Sequence, residues 1–141
     1  KESPEVTIQI NSSEKNGNEP LFRKTPEIVY GIGNFIQNAA QFASQTVTLD
    51  YGWNEKSVYV TIRDDGPGFS KDVLKKIGEP YISARKEEGR NMGLGIFIAK
   101  TLLEPTQANM HFFNAGHGGA CVRIEWNRNL FSNAPKPEEG E

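Results

Sequence analysis

Apolar and polar residues alternate at the start of the chain. Val6, Ile8 and Ile10 are each separated by one polar residue, which predicts a strand over residues 6–10. Residues 11–20, rich in Asn, Ser, Glu, Lys, Gly and Pro, predict a polar loop. The period then changes. Ile28, Ile32, Phe35, Ile36, Ala39, Phe42 and Ala43 fall on one side at helical spacing. Thr25-Pro26-Glu27 ahead of them is a helix start. Thr25 can cap, Pro26 suits the first helical position, and Glu27 faces the positive end of the helix dipole. The helix is expected to end near Ala43.

Alternation returns at Val47, Leu49 and Tyr51, and again at Val58, Val60 and Ile62, predicting two strands joined by a turn over residues 52–57. Asp64-Asp65-Gly66-Pro67-Gly68 cannot continue a strand. A short helix is expected over residues 71–77. Residues 79–92 carry charge and glycine without periodicity and predict a mobile loop. A second long helix is expected from Leu94 to Glu104, stopped by Pro105. Two last strands are expected over residues 109–113 and 120–126. The alternating strands have one apolar face, which suggests an α+β fold: a two-layer α/β sandwich, its mixed, mostly antiparallel sheet carrying helices on one face. One domain over residues 1–131 and a disordered acidic tail over residues 132–141 are expected.

Charge narrows the possible partners. Lys plus Arg number 16 and Asp plus Glu 18, a net charge of -2, which argues against a general nucleic-acid binder. No apolar run approaches the roughly 20 residues of a membrane span, and no signal-peptide pattern opens the chain. A chain starting at Lys1 is expected to be a fragment or a processed piece. One cysteine, Cys121, permits no internal disulfide and no Cys-rich zinc site, so a reducing compartment is expected.

Three segments carry chemistry. Asn34 and Asn38, four residues apart, project from one side of the first helix, and Gln41 and Gln45 extend that stripe. A carboxamide oxygen is a hard ligand suited to Mg²⁺, and its NH₂ can donate to phosphate; a plain solvent-facing stripe has the same pattern. Asp64 ends a strand ahead of a glycine-rich turn, where backbone can approach a ligand and a carboxylate can accept from an amine such as adenine's. Asp, Gly and Pro also build ordinary turns. Asn91-Met92-Gly93-Leu94-Gly95 opens the second long helix, where free backbone N–H groups form an anion site; close helix packing would use the same glycines.

Taken in order, an Asn-bearing helix, Asp-x-Gly-x-Gly, a loop of about twenty residues and Gly-Leu-Gly on a helix resemble the GHKL ATP-binding superfamily. Asn34-Phe35-Ile36-Gln37-Asn38-Ala39 resembles the N box of histidine kinases, Asp64 to Gly68 the G1 box, and Gly93-Leu94-Gly95 the G2 box. Glu79-Pro80-Tyr81 sits where the F box falls, and Gly118-Gly119 where a last glycine box falls. Residues 26–34 and 95–104 are similar to the RegB/PrrB/ActS group of redox-responsive sensor kinases.

The resemblance implies a cytoplasmic ATP-binding catalytic domain of a membrane-anchored bacterial sensor kinase. Its cofactors would be ATP and Mg²⁺. Its partners would be the dimerisation and histidine phosphotransfer domain of the same kinase and a response regulator, with no nucleic acid and no direct membrane contact. Asn38 would hold Mg²⁺, with Asn34 assisting. Asp64 would bind the adenine amine, and Gly66 and Gly68 would let base and sugar sit against backbone. Gly93, Leu94 and Gly95 would leave room for the phosphates. Residues 79–92 would form the ATP lid, with Tyr81 in the F box and Arg85, Lys86 or Arg90 facing phosphate. Two positions depart from the pattern: Gln41 stands where a basic residue is common, and Asn91 where the first glycine of the G2 box is expected.

Two other readings stay open. A GHKL ATPase carries a water-activating Glu four residues before its magnesium-binding Asn; here that residue is Asn34, which lacks a basic lone pair. A non-catalytic nucleotide-binding or interaction module would tolerate Gln41 and Asn91. His111, expected in a strand, and His117, expected in a turn, lack the following Glu and Asn/Thr-Pro of a phospho-accepting histidine. Cys121 is expected to be buried and inert, with the group's redox-sensing cysteine outside this domain. Trp53 and Trp126 are expected to pack.

Overall fold

The computed structural model describes residues 5–77 and 90–135, the side chains of residues 90–93 excepted. The elements run in the order β1 (Thr7–Lys15), α1 (Pro26–Phe42), β2 (Thr46–Trp53), β3 (Ser57–Asp64), α2 (Lys71–Lys76), α3 (Arg90–Leu103), β4 (Asn109–Asn114) and β5 (Ala120–Asn127). They form a five-stranded sheet in the order β1-β2-β3-β5-β4. Only β1 and β2 pair in parallel, and α1 makes the crossover between them; the other neighbours are antiparallel. The mixed sheet with helices on one face is the expected class.

The helix start forms as its sequence dictates. Thr25 Oγ1 accepts the Ile28 N–H at 3.3 Å and Pro26 opens the first turn. Phe35 and Ala39 on α1 enter the core, as do Ile96, Ala99 and Leu103 on α3. They meet Val47, Val58, Val60, Ile62, Val122, Ile124 and Trp126 from the inner face of the sheet. The two helices approach closely at Gly31, where a Cβ would lie 2.5 Å from the Leu103 side chain.

Several boundaries differ from expectation. β1 continues to Lys15, through residues expected to be loop, because an edge strand needs backbone pairing and no buried side-chain pattern. Glu14 there accepts from the Tyr59 hydroxyl at 3.1 Å. β2 runs on through Gly52 and Trp53, and the turn is confined to residues 54–56, where Asn54 Oδ1 accepts the Lys56 and Ser57 N–H groups. α3 begins at Arg90, four residues early, so it absorbs residues 90–92 of the expected loop. It ends at Leu103, where Glu104–Thr106 form a 3-10 turn containing Pro105. Finally, residues 132–134 are paired to the fold: Ser132 O accepts from Leu21 N, and Ala134 N donates to Glu19 O. Residues 136–141 of the expected tail lie outside the described residues.

Candidate nucleotide site

A cleft opens between α1, α3 and the inner ends of β3, β5 and β4, lined among others by Asn38, Asp64, Gly68, Phe69, Ile96 and Phe112. Its enclosed volume is about 20 Å³, room for a single water and too little for a purine. A base therefore needs the cleft to widen.

Asp64, the last residue of β3, is 5% exposed, the one charged residue in the described core. Its Oδ1 accepts the Gly66 N–H at 2.8 Å and the Ala120 N–H at 3.3 Å. Oδ2 takes no hydrogen bond from a described residue. Burial pushes its pKa above the usual carboxylate range, against the opposing pull of the two N–H groups; the neighbouring Asp65 charge adds to the rise. The glycines around it are required by the fold. A Cβ on Gly66 would lie 2.0 Å from the Phe42 carbonyl oxygen, and one on Gly119 would lie 1.9 Å from the Asp64 carbonyl oxygen. Gly66 thus has a packing reason of its own, separate from any approach of base or sugar.

Asp65 was given no role by its sequence. It is exposed, and its Oδ1 accepts the Ser44 and Gln45 N–H groups at 2.7 and 3.0 Å, while Oδ2 accepts Thr46 N–H at 3.1 Å. These bonds, Gln45's first, hold its pKa below the usual range. Asp65 ties the end of α1 to the start of β2. The one available signal was a second carboxylate at the strand end.

The asparagines of α1 differ. Asn34 is half-buried and its Nδ2 donates to the Tyr30 carbonyl, 2.7 Å away on its own helix. Asn38 turns inward. Its Oδ1 is buried, takes no hydrogen bond from a described residue, and lies 3.3 Å from where a Cβ on Gly95 would be. An orphaned hard oxygen of this kind fits a magnesium ligand. The expected stripe stops at Gln41, because the helix ends at Phe42 and Gln45 lies past it with its N–H on Asp65.

Of the residues expected to border the phosphates, Gly93 lies within α3, Leu94 is 48% exposed, and Gly95 faces Asn38. A helix start at Arg90 assigns the N–H groups without intrahelical partners to residues 90–93 rather than to Leu94 and Gly95. Arg90 is the first residue of the helix, its side chain undescribed; Tyr81, Arg85 and Lys86, with most of the expected lid, lie outside the described residues. Among the described residues no three His, Cys, Asp or Glu side chains converge as a metal site.

The other candidates stand apart. The register puts His111 on the sheet face away from the helices, and His117 sits in the β4–β5 turn. Cys121 is buried, which raises its thiol pKa. Trp53 and Trp126 are buried and donate their indole N–H groups to Gly17 O and Thr106 Oγ1.

The sequence pattern described as "Histidine kinase-, DNA gyrase B-, and HSP90-like ATPase" matches residues 24–130, so it spans all three α-helices and four of the five strands. The chain belongs to this ATPase family. Within it the curated relatives are sensor kinases. "Sensor histidine kinase RegB" of Cereibacter sphaeroides is 39% identical, the alignment covering 77% of this chain and 28% of that protein. "C4-dicarboxylate transport sensor protein DctB" of Pseudomonas aeruginosa is 30% identical, covering 77% of this chain and 18% of that protein. The chain thus spans under a third of the length of these relatives. Among solved structures, full-length ShkA in complex with AMPPNP superposes with a TM-score of 0.65 at 22% identity, covering 93% of this chain and 27% of that one. The nucleotide-free catalytic domain of histidine kinase ThkA gives 0.65 at 19%, covering 86% and 79%. These likenesses establish the fold. The ATPase-family domain is of the histidine-kinase type that the N, G1 and G2 boxes implied.

Proposed function

We propose that this domain binds ATP with Mg²⁺ and donates the γ-phosphoryl group to a histidine on a separate dimerisation and phosphotransfer domain of the same kinase, from which a response regulator takes it. The observation that carries the reading is Asp64: a buried carboxylate with Oδ1 fixed by two N–H groups and Oδ2 without a hydrogen bond from any described residue, in a domain matched to this ATPase family. Oδ2 would accept the exocyclic amine of adenine. Asn38 Oδ1, buried and unpaired among the described residues, would ligate the metal, with Asn34 turning from Tyr30 to assist. When bound, Mg²⁺ would neutralise charge on the phosphates. Gly93, Leu94 and Gly95 would border the phosphates, with Tyr81, Arg85, Lys86 and Arg90 closing over them.

Phosphoryl transfer depends mainly on positioning and charge neutralisation. Asn34 stands where the related ATPases carry a water-activating Glu, and neither histidine is among the described residues lining the cleft, so hydrolysis and self-phosphorylation should be slow. The parent would be a membrane-anchored bacterial sensor kinase with this domain in the cytoplasm, bound to no nucleic acid and not touching the membrane.

The experiment is incubation with radiolabelled ATP, with and without the parent's helical hairpin domain. The lone domain should bind ATP and stay unlabelled; adding the hairpin should give slow, acid-labile labelling of the hairpin, slow because the tether's effective concentration is gone. Strong labelling or rapid phosphate release by the lone domain would overturn the reading.

A further inference from the structure

Asn114 closes β4 and lies beside the cleft without lining it. Its side-chain amide is bound twice to one distant residue. Oδ1 accepts the Phe69 N–H at 2.7 Å, and Nδ2 donates to the Phe69 carbonyl at 3.0 Å. This in-and-out pair is what a neighbouring strand would offer, delivered here by a side chain across 45 residues of sequence. The Phe69 ring is held as well: it is 8% exposed and meets Phe112, two residues before Asn114, edge-on at 6.2 Å.

The register adds a second anchor. Asn114 pairs directly with Ala120 across β4 and β5, and Ala120 N–H is one of the two donors on Asp64 Oδ1. One rung of the hairpin therefore grips both ends of the turn from Asp64 to Phe69. Gly68 sits inside the grip with φ 89°, and a Cβ there would lie 2.8 Å from Asn114 Oδ1.

We propose that Asn114 is a positioning residue for the adenine end of the site: by clamping Phe69 it holds the turn so that Asp64 keeps Oδ1 on the protein and presents Oδ2 to the base. This rests on the reading of Asp64 as the adenine acceptor. A carboxylate accepts well only over a limited range of directions, so a turn fixed at one end alone lets Oδ2 drift. The phosphate end, built on α1 and α3, does not depend on the clamp. Asn114 thus acts on which base is bound, through Asp64, without touching the nucleotide.

The test compares three ligands by calorimetry, each with Mg²⁺: ATP; inosine triphosphate, which has a carbonyl in place of the amine; and tripolyphosphate, which has no base. Wild type should prefer ATP to inosine triphosphate. N114A should lose ATP affinity by about tenfold, the scale of one charge-assisted hydrogen bond. Its preference for ATP should shrink by the same factor, while tripolyphosphate affinity stays at the wild-type value. N114D keeps the acceptor for Phe69 N–H but turns an oxygen toward the Phe69 carbonyl. Its preference should fall between the two, and its matching shape covers the case in which N114A does not fold. An ATP preference undiminished in the folded variants, or an equal loss for all three ligands, would overturn the proposal and leave Asn114 a stabilising residue only. A wild type that binds ATP and inosine triphosphate equally would instead remove Asp64 as the base acceptor, and this inference with it.

Discussion

The two ends of the cleft are built differently. At the end proposed for the base, Asp64 Oδ1 is bound by Gly66 and Ala120, its carbonyl is packed against Gly119, and the turn after it is gripped by Asn114. At the end proposed for the phosphates, Asn38 Oδ1 is bound by nothing described, and Asn34 is bonded back onto its own helix. On the proposed reading, the Asp64 carboxylate is held before any ligand arrives, although the cleft beside it must still widen for a base, whereas Asn38 Oδ1 waits for a partner. Affinity from a preformed contact costs little ordering, whereas a group that must turn or become ordered gives up part of its gain. Base recognition should therefore be sensitive to small changes in the protein, and phosphate recognition to the presence of metal.

The largest effect should come from Gly119→Ala. The added Cβ would meet the Asp64 carbonyl oxygen at 1.9 Å, at a position where φ is 95°. A loss of about 3 kcal/mol in stability is expected, together with ATP binding. Thermal melting is the measurement, and an unshifted melting temperature would show that the hairpin turn can retreat without cost.

Next is Asp64→Asn. Losing a charged acceptor costs about 1.5 to 3 kcal/mol, ten- to a hundredfold in ATP affinity. The fold should survive it, since Oδ1 can still accept. The pH profile sharpens the comparison. Only the ionised carboxylate is the strong acceptor, and burial raises its pKa. ATP binding by wild type should thus begin to weaken above the ordinary carboxylate range as pH falls, and the Asn variant should lack that decline. Stability runs the other way for this group: the cost of its buried charge is relieved as pH falls through the raised pKa. Identical binding profiles for the two proteins would take Asp64 out of the site.

The smallest effect should be that of Asn38→Ala, about tenfold in ATP affinity with Mg²⁺ and close to none with chelator. Losing the same factor in both conditions would mean that Asn38 supports the fold or the base rather than the metal.

The residues that face the core were legible because burial imposes periodicity. Phe35 and Ala39 on α1 and Val47, Val60 and Ile62 on the strands all sit where their spacing put them. The start of α1 was legible because a cap is local. Asp64 and Asn38 were singled out by the order of the boxes, and the fold brings them to one cleft. What escaped was held by other forces. Residues 11–15 pair through backbone at an edge, where exposed side chains leave no alternation. Gly52 reads as a turn residue but lies in a strand, where a Cβ would meet the Tyr59 hydroxyl at 2.4 Å. Asn114 binds a partner 45 residues away, and Asp65 binds partners about twenty residues back. No local motif encodes contacts at such separations.

The bond from Ala120 N–H to Asp64 spans 56 residues and belongs to β5, the last strand of this sheet in chain order. On the ribosome, the chain can make α1 and the β2–β3 hairpin while the base end is still open. On the proposed reading of Asp64, nucleotide cannot act as a folding template for that nascent intermediate, because its acceptor is not yet aimed. The domain must finish its sheet unaided, and ATP can stabilise only the completed product.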